Sequence, residues 1–533
     1  MNDAHMSSRL ISGRIRSPAS LRPLALTALL LALAPLAIGF VRYIEVVRET
    51  TFYPYALDYG EGVVWAQMVE IVADRGYGPI DATGTLVFHY PPAYHLLTNL
   101  VAAGFGADAL AAGRLVSVLA TIATAVAVGL CSTHMAKADG ARRIGWCCGL
   151  IAGLAVFSMM PVLHWSRLMR VDMLALFFSF AGLYCALRAL SQPRAIHLAA
   201  LCFVAAVFTK QTSLAPPIAV FGTMFFLHPR TALAGSASAL IMALASLAVM
   251  IVEFGTGFLD HLILYNINTI EWERLQWIVP MLTQHAMFIA VALFALASRI
   301  RRAFGDCRAT DLHSLRQAVA RSATAGQTLI LAAYLLVASI MLLTIAKSGS
   351  SYNYFMEWLC IIALLAGLGM RDIAILASTE GGAKPAALAL LVGPALALQS
   401  LVLPDTPRDA WRMNAARRAE LDKVAAMIAA APKPVISSDL ALLMRAGKRP
   451  EWEPFTFPEL AVKGLWDNRP LIQRIRNGSF AFFVTDDEGA DPLVGAYDAD
   501  IAGAVVSAYP VTRHVGGMMI NLPRSAGSPE DAR

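Results

Sequence analysis

Charge is what this sequence has least of for its length. Of 533 residues only 15% are Asp, Glu, Lys or Arg, 57% are hydrophobic, and the mean hydropathy is +0.58. So few charges cannot cover a soluble globule of this size, which points to a lipid bilayer as the solvent for much of the chain. Cysteine is sparse too. Cys131, Cys147, Cys148, Cys185, Cys202, Cys307 and Cys360 all fall in apolar runs or in loops assigned to the cytoplasm, so no external disulfide is expected. The adjacent Cys147 and Cys148 lack CxxC spacing and a nearby histidine and read as small core hydrophobes rather than metal ligands. Nor is there a basic stripe. The formal net charge of +6 is distributed between apolar runs, which argues against nucleic acid as a partner and for a topological role.

Apolar runs of bilayer-crossing length stand in place of charge. A polar tail, 1–23, precedes a first run from Leu24 to Phe40, expected as an uncleaved span rather than a signal peptide. Ten further runs lie near 110–134, 144–161, 173–189, 195–209, 214–228, 231–252, 281–298, 327–346, 357–370 and 385–403. The expectation is therefore a polytopic α-helical membrane protein with about eleven transmembrane helices. Lys and Arg concentrate in alternate loops, above all around Arg299, Arg301, Arg302, Arg308, Arg316 and Arg321, which puts those loops and the N-terminus in the cytoplasm. An odd number of spans then leaves 404–533 outside, in the periplasm if this is a bacterial inner-membrane protein. That stretch alternates helical and strand patterns: helix at 409–430, strand at Val435–Ser437, helical pieces near 439–447 and 468–476, strand at Phe480–Thr485 and more strand over Val505–Leu522. A small soluble α/β domain is the reading.

Polar groups that could carry chemistry gather at external ends of the membrane domain, 24–403. Its first external loop, 42–109, is long enough to need a reason. In it Asp58 and Glu61 lie three apart among aromatics and glycines, one face of a helix if helical. Val64, Met68, Ile71 and Val72 then alternate with Glu61, Gln67, Glu70 and Asp74 as in a helix lying in the membrane interface. Asp58 or Glu61 as a simple helix cap is the competing reading. Next come His89, Tyr90, Pro91, Pro92, Tyr94 and His95, suited to an interfacial belt or a sugar-binding wall, and Arg114 at the head of the second span. Further polar groups are Arg170 and Asp172, Lys210 and Gln211, and Lys347 with Tyr352, Asn353 and Glu357. Ions at a membrane edge are costly unless partnered, so their convergence on one side suits a phosphate-bearing lipid and a polar acceptor.

In order, these motifs resemble the GT-C superfamily, specifically bacterial relatives of the protein O-mannosyltransferases and the lipid A aminoarabinose transferases. The resemblance spans almost all of the membrane part: Asp58 and Glu61 in the first loop, Tyr90-Pro91-Pro92, Arg114, Arg170-x-Asp172 and Lys210-Gln211-Thr212. It departs at Tyr90, where the aminoarabinose enzymes resemble Lys-Pro-Pro. The resemblance implies a polyprenyl-phosphate sugar donor, inversion at the anomeric carbon, and a glycan, lipid or protein acceptor. It further implies Asp58 as base with Glu61 as auxiliary, and Arg114, Arg170 and Lys210 as candidates for the phosphate. No cofactor is implied, though the residues leave a divalent metal open.

A transporter or flippase would share the spans and buried charges, but it should show internal repeats and broken helices in matching halves. A noncatalytic assembly protein is the third alternative. The topology makes a direct prediction: a reporter active only in the cytoplasm works when fused within 303–320, and one active only outside works after Pro404. Both reporters scoring on the same side would overturn the span count.

Overall fold

The computed structural model describes residues 23–81, 86–140, 144–305, 316–317, 319, 322–378, 390–396, 398–399, 413–487, 493 and 497–524. The tail 1–22, Cys307, Arg308, Arg321, Pro404 and most of the expected last span, 385–403, lie outside the described residues.

The apolar runs are helices. In chain order they are α1 (Pro23–Thr51), α2 (Tyr59–Val72), α3 (Ala93–Phe105), α4 (Ala109–Ala138), α5 (Gly145–Val156), α6 (Met160–Trp165), α7 (Asp172–Ala189), α8 (Ala195–Thr209), α9 (Ala215–Leu227), α10 (Pro229–Phe254), α11 (Ile278–Gln284), α12 (Ala286–Phe304), α13 (Ala323–Met341) and α14 (Met356–Ser378). Six described helical segments are long and apolar enough to cross a membrane, and a seventh arises if the stretch on either side of His285, bent by 79°, is one span. The chain is thus a helical membrane protein. The expected runs at 144–161, 195–209 and 214–228 are helical over shorter lengths: α5, α8 and α9 have 12, 15 and 13 residues. About 20 are needed to cross a hydrocarbon core unaided.

Local chemistry explains the packing. Asp108 caps α4, accepting from the Leu110 and Ala111 amides at 3.1 and 3.4 Å. Thr121 and Thr124 return their hydroxyls to carbonyls one turn back at 2.7 Å, so neither leaves a polar group bare in the interior. Gly145, Gly149 and Gly153 repeat every four residues along α5, and a methyl added at Gly149 would come within 2.6 Å of the Gly129 carbonyl oxygen on α4. The two helices touch backbone to backbone, the close approach that small residues permit in membranes. By contrast α10 buries only Ala232 and Gly235 and faces outward along its length.

At the far end of α4, about 45 Å from its start at 1.5 Å per residue, Asp139 meets Arg299, Arg302 and Arg371, and Asp372 pairs with Arg302 and Arg371. Two members of the basic cluster read from the sequence, Arg299 and Arg302, are therefore knitted with Arg371 to two aspartates at the end of the molecule opposite Asp58 and Arg114.

The C-terminal segment forms α15 (Ala415–Ala430), β1 (Ile436–Ser437), α16 (Leu440–Arg445), α17 (Phe457–Val462), α18 (Arg469–Arg476), β2 (Phe483–Asp486), α19 (Ala499–Ala508), β3 (Val511–Val515) and β4 (Met518–Leu522). The sheet order is β1-β2-β4-β3, with β1 and β2 parallel and the other pairs antiparallel. The expected strand from Val505 begins instead at Val511, because Asp498 caps a helix through the Ile501 amide and that helix runs on to Ala508. This α/β unit sits directly on the first loop: a methyl at Gly62 of α2 would meet the Ala441 amide nitrogen of α16 at 2.4 Å.

Two readings of the first loop change. Helix α1 continues eleven residues beyond Phe40, to Thr51, so the loop begins later. Helix α2 is not an interfacial helix with one wet face, because Glu61, Gln67 and Glu70 are as buried as Val64 and Met68. Partners outside the helix account for this: Arg114 for Glu61, the nearby Arg75 and the distant Arg449 for Glu70, and the Val87 carbonyl and His95 for Gln67.

Candidate active site

The site starts from a buried ion pair. Glu61 and Arg114 are both fully buried and bond twice, Nε to Oε1 at 2.8 Å and Nη2 to Oε2 at 2.7 Å. Arg114 spends its other N–H groups on the carbonyls of Thr50, Tyr53 and Tyr55 at 2.6–2.9 Å. Glu61 also accepts the Leu57 amide at 2.7 Å and the Met169 amide at 2.8 Å. Burial pushes the Glu61 pKa up, but the Arg114 charge and these bonds outweigh it and hold the carboxyl below its ordinary value. Neither side chain has a free hydrogen-bonding position for a ligand. In this geometry Arg114, expected near the donor phosphate, and Glu61, expected as an auxiliary base, are framework.

That framework aims the neighbouring residues. Asp58, one turn before Glu61, caps α2 by accepting the Gly60 amide at Oδ1 at 3.0 Å, and the same oxygen faces Arg170 Nη1 at 3.5 Å. The cap reading and the site reading of Asp58 thus both apply. Arg170 follows Met169, whose amide Glu61 holds, and its own carbonyl accepts from Ser117 at 3.1 Å. A methyl at position 60 would sit 1.4 Å from Arg170 Nη1, so a larger residue there would have to displace the Arg170 head group from Asp58. The Asp58 and Arg170 side chains keep 21% and 15% exposure, and 3.5 Å is a loose contact, so this pair is open to exchange with a ligand. Arg170 Nε is buried with no partner among the described residues.

Two residues on, Asp172 begins α7 and accepts from Lys210 Nζ at 2.6 Å and Asn353 Nδ2 at 2.9 Å through one oxygen, while its Oδ2 is buried with no partner among the described residues. Asp172, Lys210, Asn353, Tyr354 and Glu357 line a cavity of about 50 Å³. Lys210 lies 5.3 Å from the centre of the Tyr354 ring, and Glu357 accepts the Tyr334 hydroxyl at 2.7 Å. Gln211 donates to the His89 carbonyl at 2.7 Å, tying the Lys210 loop to the first loop. Burial lowers the His89 pKa to about 4, so the ring is neutral at pH 7; it lies 3.3 Å from Asn266 Oδ1 and 3.2 Å from Thr456 Oγ1.

The structure therefore brings together Asp58, Arg170, Asp172, Lys210, Asn353 and Glu357, with His89 and Gln211 beside them. Tyr90 is half-buried, and its carbonyl accepts the Tyr77 hydroxyl at 2.8 Å. Tyr94 is fully buried and bonded to the Gly113 carbonyl and Ser117, and Tyr352 packs its ring on Trp277, so both serve packing here. Sequence reasoning missed Tyr59, Asn266, Glu453, Phe455 and Thr456 as site residues. The last three come from the C-terminal unit, and no local pattern signals their return to the first loop. Among the described residues no three His, Cys, Asp or Glu side chains converge as metal ligands would, so no residue is assigned to a metal.

No family model matches the chain, and no curated protein matches it in sequence. Solved structures do match. ArnT from Cupriavidus metallidurans bound to undecaprenyl phosphate superposes with a TM-score of 0.55 at 14% identity, over 92% of this chain and 99% of that one. The same protein in its apo state gives 0.51 at 15%, over 91% and 98%. The apo oligosaccharyltransferase of Archaeoglobus fulgidus gives 0.52 at 12%, over 88% of this chain and 72% of that one. At such identities the likeness is one of fold, which the chain shares with ArnT and with the oligosaccharyltransferase.

Breaking the buried clamp has a clear expected cost. Arg114→Lys or Glu61→Gln leaves a buried charge or several carbonyls unpaired, worth about 3–5 kcal/mol. The melting temperature in detergent and the yield of folded protein should both fall. Because the folded carboxyl of Glu61 titrates below its ordinary value, its stabilisation is present above the unfolded pKa and is lost as pH falls through the folded one. Arg114→Lys melting like the parent would remove the clamp from this role.

Proposed function

We propose that this protein is an inverting glycosyltransferase that moves a sugar from a polyprenyl-phosphate donor to a glycan, lipid or protein acceptor at the external face of the bacterial inner membrane. The observation that carries this reading is the loose Asp58–Arg170 pair. A carboxylate with residual exposure faces a guanidinium with an unsatisfied donor, one peptide away from a closed framework and next to the Asp172–Lys210 cavity. ArnT, whose fold the chain shares over nearly its whole length, has been captured with undecaprenyl phosphate.

In this mechanism Asp58 takes the proton from the acceptor hydroxyl as its oxygen attacks the anomeric carbon from the face opposite the phosphate. The bond from that carbon to the phosphate oxygen breaks, and the lipid leaves as polyprenyl phosphate. Arg170 and Lys210 offset the charge that grows on the departing oxygen. Asp172, itself bonded by Asn353, holds the Lys210 ammonium in place, and the Glu61–Arg114 pair fixes the loop from which Asp58 projects. The eleven-span topology, with the N-terminus cytoplasmic and 404–533 periplasmic, belongs to the same reading. A transporter would need broken helices in both halves, whereas among the described residues one pair is bent in this way, at His285.

Asp58→Asn preserves the cap, since Asn caps as well as Asp, but removes the base. Turnover of a polyprenyl-phosphate sugar by purified protein should fall roughly 10²–10⁴-fold with donor binding and protein level kept. Arg170→Ala and Lys210→Ala should instead weaken donor binding by about tenfold or more, the worth of a charge-assisted contact. Near-normal turnover by Asp58→Asn, or unchanged donor affinity in both cation variants, would contradict these assignments.

A further inference from the structure

We infer that Tyr59 and Phe455 form the platform on which the pyranose ring of the lipid-linked donor stacks, so that the C-terminal unit supplies half of the sugar subsite. This rests on the glycosyltransferase reading above and adds to it the part of the site that recognises the sugar.

The two rings come from distant parts of the chain and meet 4.8 Å apart at 45°. Both remain open: Tyr59 is 47% exposed and Phe455 39%. Of the other first-loop aromatics, Phe52 and Phe105 are also exposed, just beyond α1 and at the end of α3, but most are not. Tyr53, Tyr55, Tyr77, Phe88 and Tyr94 are all buried. Tyr59 directly follows Asp58 and opens α2, and the charges of Arg170 and Asp58 both act on its hydroxyl. An exposed aromatic surface is therefore attached to the carboxylate assigned as base.

Phe455 is held there by dedicated chemistry. Glu453, buried, accepts the Phe455 amide with one carboxylate oxygen at 2.9 Å and the Thr456 amide with the other at 2.8 Å, closing a turn that has Phe455 at its tip. Beyond the tip, Thr456 Oγ1 lies 3.2 Å from His89 Nε2, and Glu459 accepts the Thr269 amide at 2.8 Å and the Ser348 hydroxyl at 2.5 Å. The turn is thus fixed to the first loop and to two loops of the membrane helices. Leaving an apolar ring half open at the end of so many polar ties makes sense if something covers it in use.

The surroundings select the occupant. An isoprenoid chain would want apolar neighbours, but this platform is flanked by Asp58, Arg170 and His89. A sugar ring presents C–H groups on one face, which suit the negative face of an aromatic quadrupole, and hydroxyls at its edge, which suit those polar flanks.

The test uses full-length protein in detergent and two kinds of probe: undecaprenyl phosphate, and a panel of undecaprenyl-phosphate hexopyranoses and pentopyranoses. The parent should bind at least one sugar-bearing lipid more tightly than the bare lipid. Phe455→Leu, which keeps an apolar side chain but loses the ring, should cut that gain roughly three- to tenfold, the worth of an aromatic stacking pair, and leave bare-lipid affinity and melting temperature unchanged. Phe455→Trp should keep the gain. If Phe455→Leu retains the full gain, or no sugar-bearing lipid exceeds the bare one, the platform assignment is overturned. If bare undecaprenyl phosphate fails to bind the parent at all, the glycosyltransferase reading fails first and this one with it.

Discussion

A carboxylate and a guanidinium taken wholly out of water must satisfy each other and every remaining lone pair and N–H, and Glu61 with Arg114 does this while gathering the chain around it. Through Arg114 the pair holds the carbonyls of Thr50, Tyr53 and Tyr55 at the end of α1; through Glu61 it holds the amides of Leu57 and Met169. Two segments distant in sequence, residues 50–61 and the backbone at Met169, are thereby pinned to the start of α4. Such a pair adds little net stability over a well-packed apolar replacement, but losing one member is expensive. Its value here is geometric, because the residues it fixes on either side are those that face each other in the site.

Two kinds of ion pair share this end of the molecule, and the contrast between them explains the division of labour. The Glu61–Arg114 pair is closed, bidentate and dry. The Asp58–Arg170 pair is 3.5 Å long and retains some exposure. A polar ligand can displace the second without paying to open the first, while the first keeps the second from drifting. The Asp172–Lys210 pair is intermediate, short but with one carboxylate oxygen that has no partner among the described residues beside a small cavity. Basic groups next to acids at a membrane edge would be hard to account for as packing alone, since each is desolvated at a cost that only a partner or a ligand offsets.

Much of this was legible in the sequence. Long apolar runs gave the membrane helices because bilayer thickness sets their length, and Asp58, Arg170, Asp172 and Lys210 stood out because charge is rare in such a chain. What pattern could not convey was which polar residues are used up by partners far away. Glu61 and Arg114 look as available as Asp58 and Arg170 when read locally, and only folding reveals their closure. For the same reason α2 resembles an interfacial helix, its polar face being covered by Arg114 and Arg449 from other segments. The turn carrying Phe455 was invisible because nothing near Glu453 indicates that it returns to Tyr59.

The most direct test of the central claim, that an open carboxylate and guanidinium held by a closed pair perform an inverting sugar transfer, is the stereochemical course of a single turnover. Purified protein would be given a polyprenyl-phosphate sugar of known anomeric configuration and a membrane extract as acceptor source, and the glycosidic linkage formed would be read by NMR. The account predicts an inverted anomeric centre and release of unmodified polyprenyl phosphate. A retained configuration, or a sugar that reaches the product still joined to its phosphate, would contradict it.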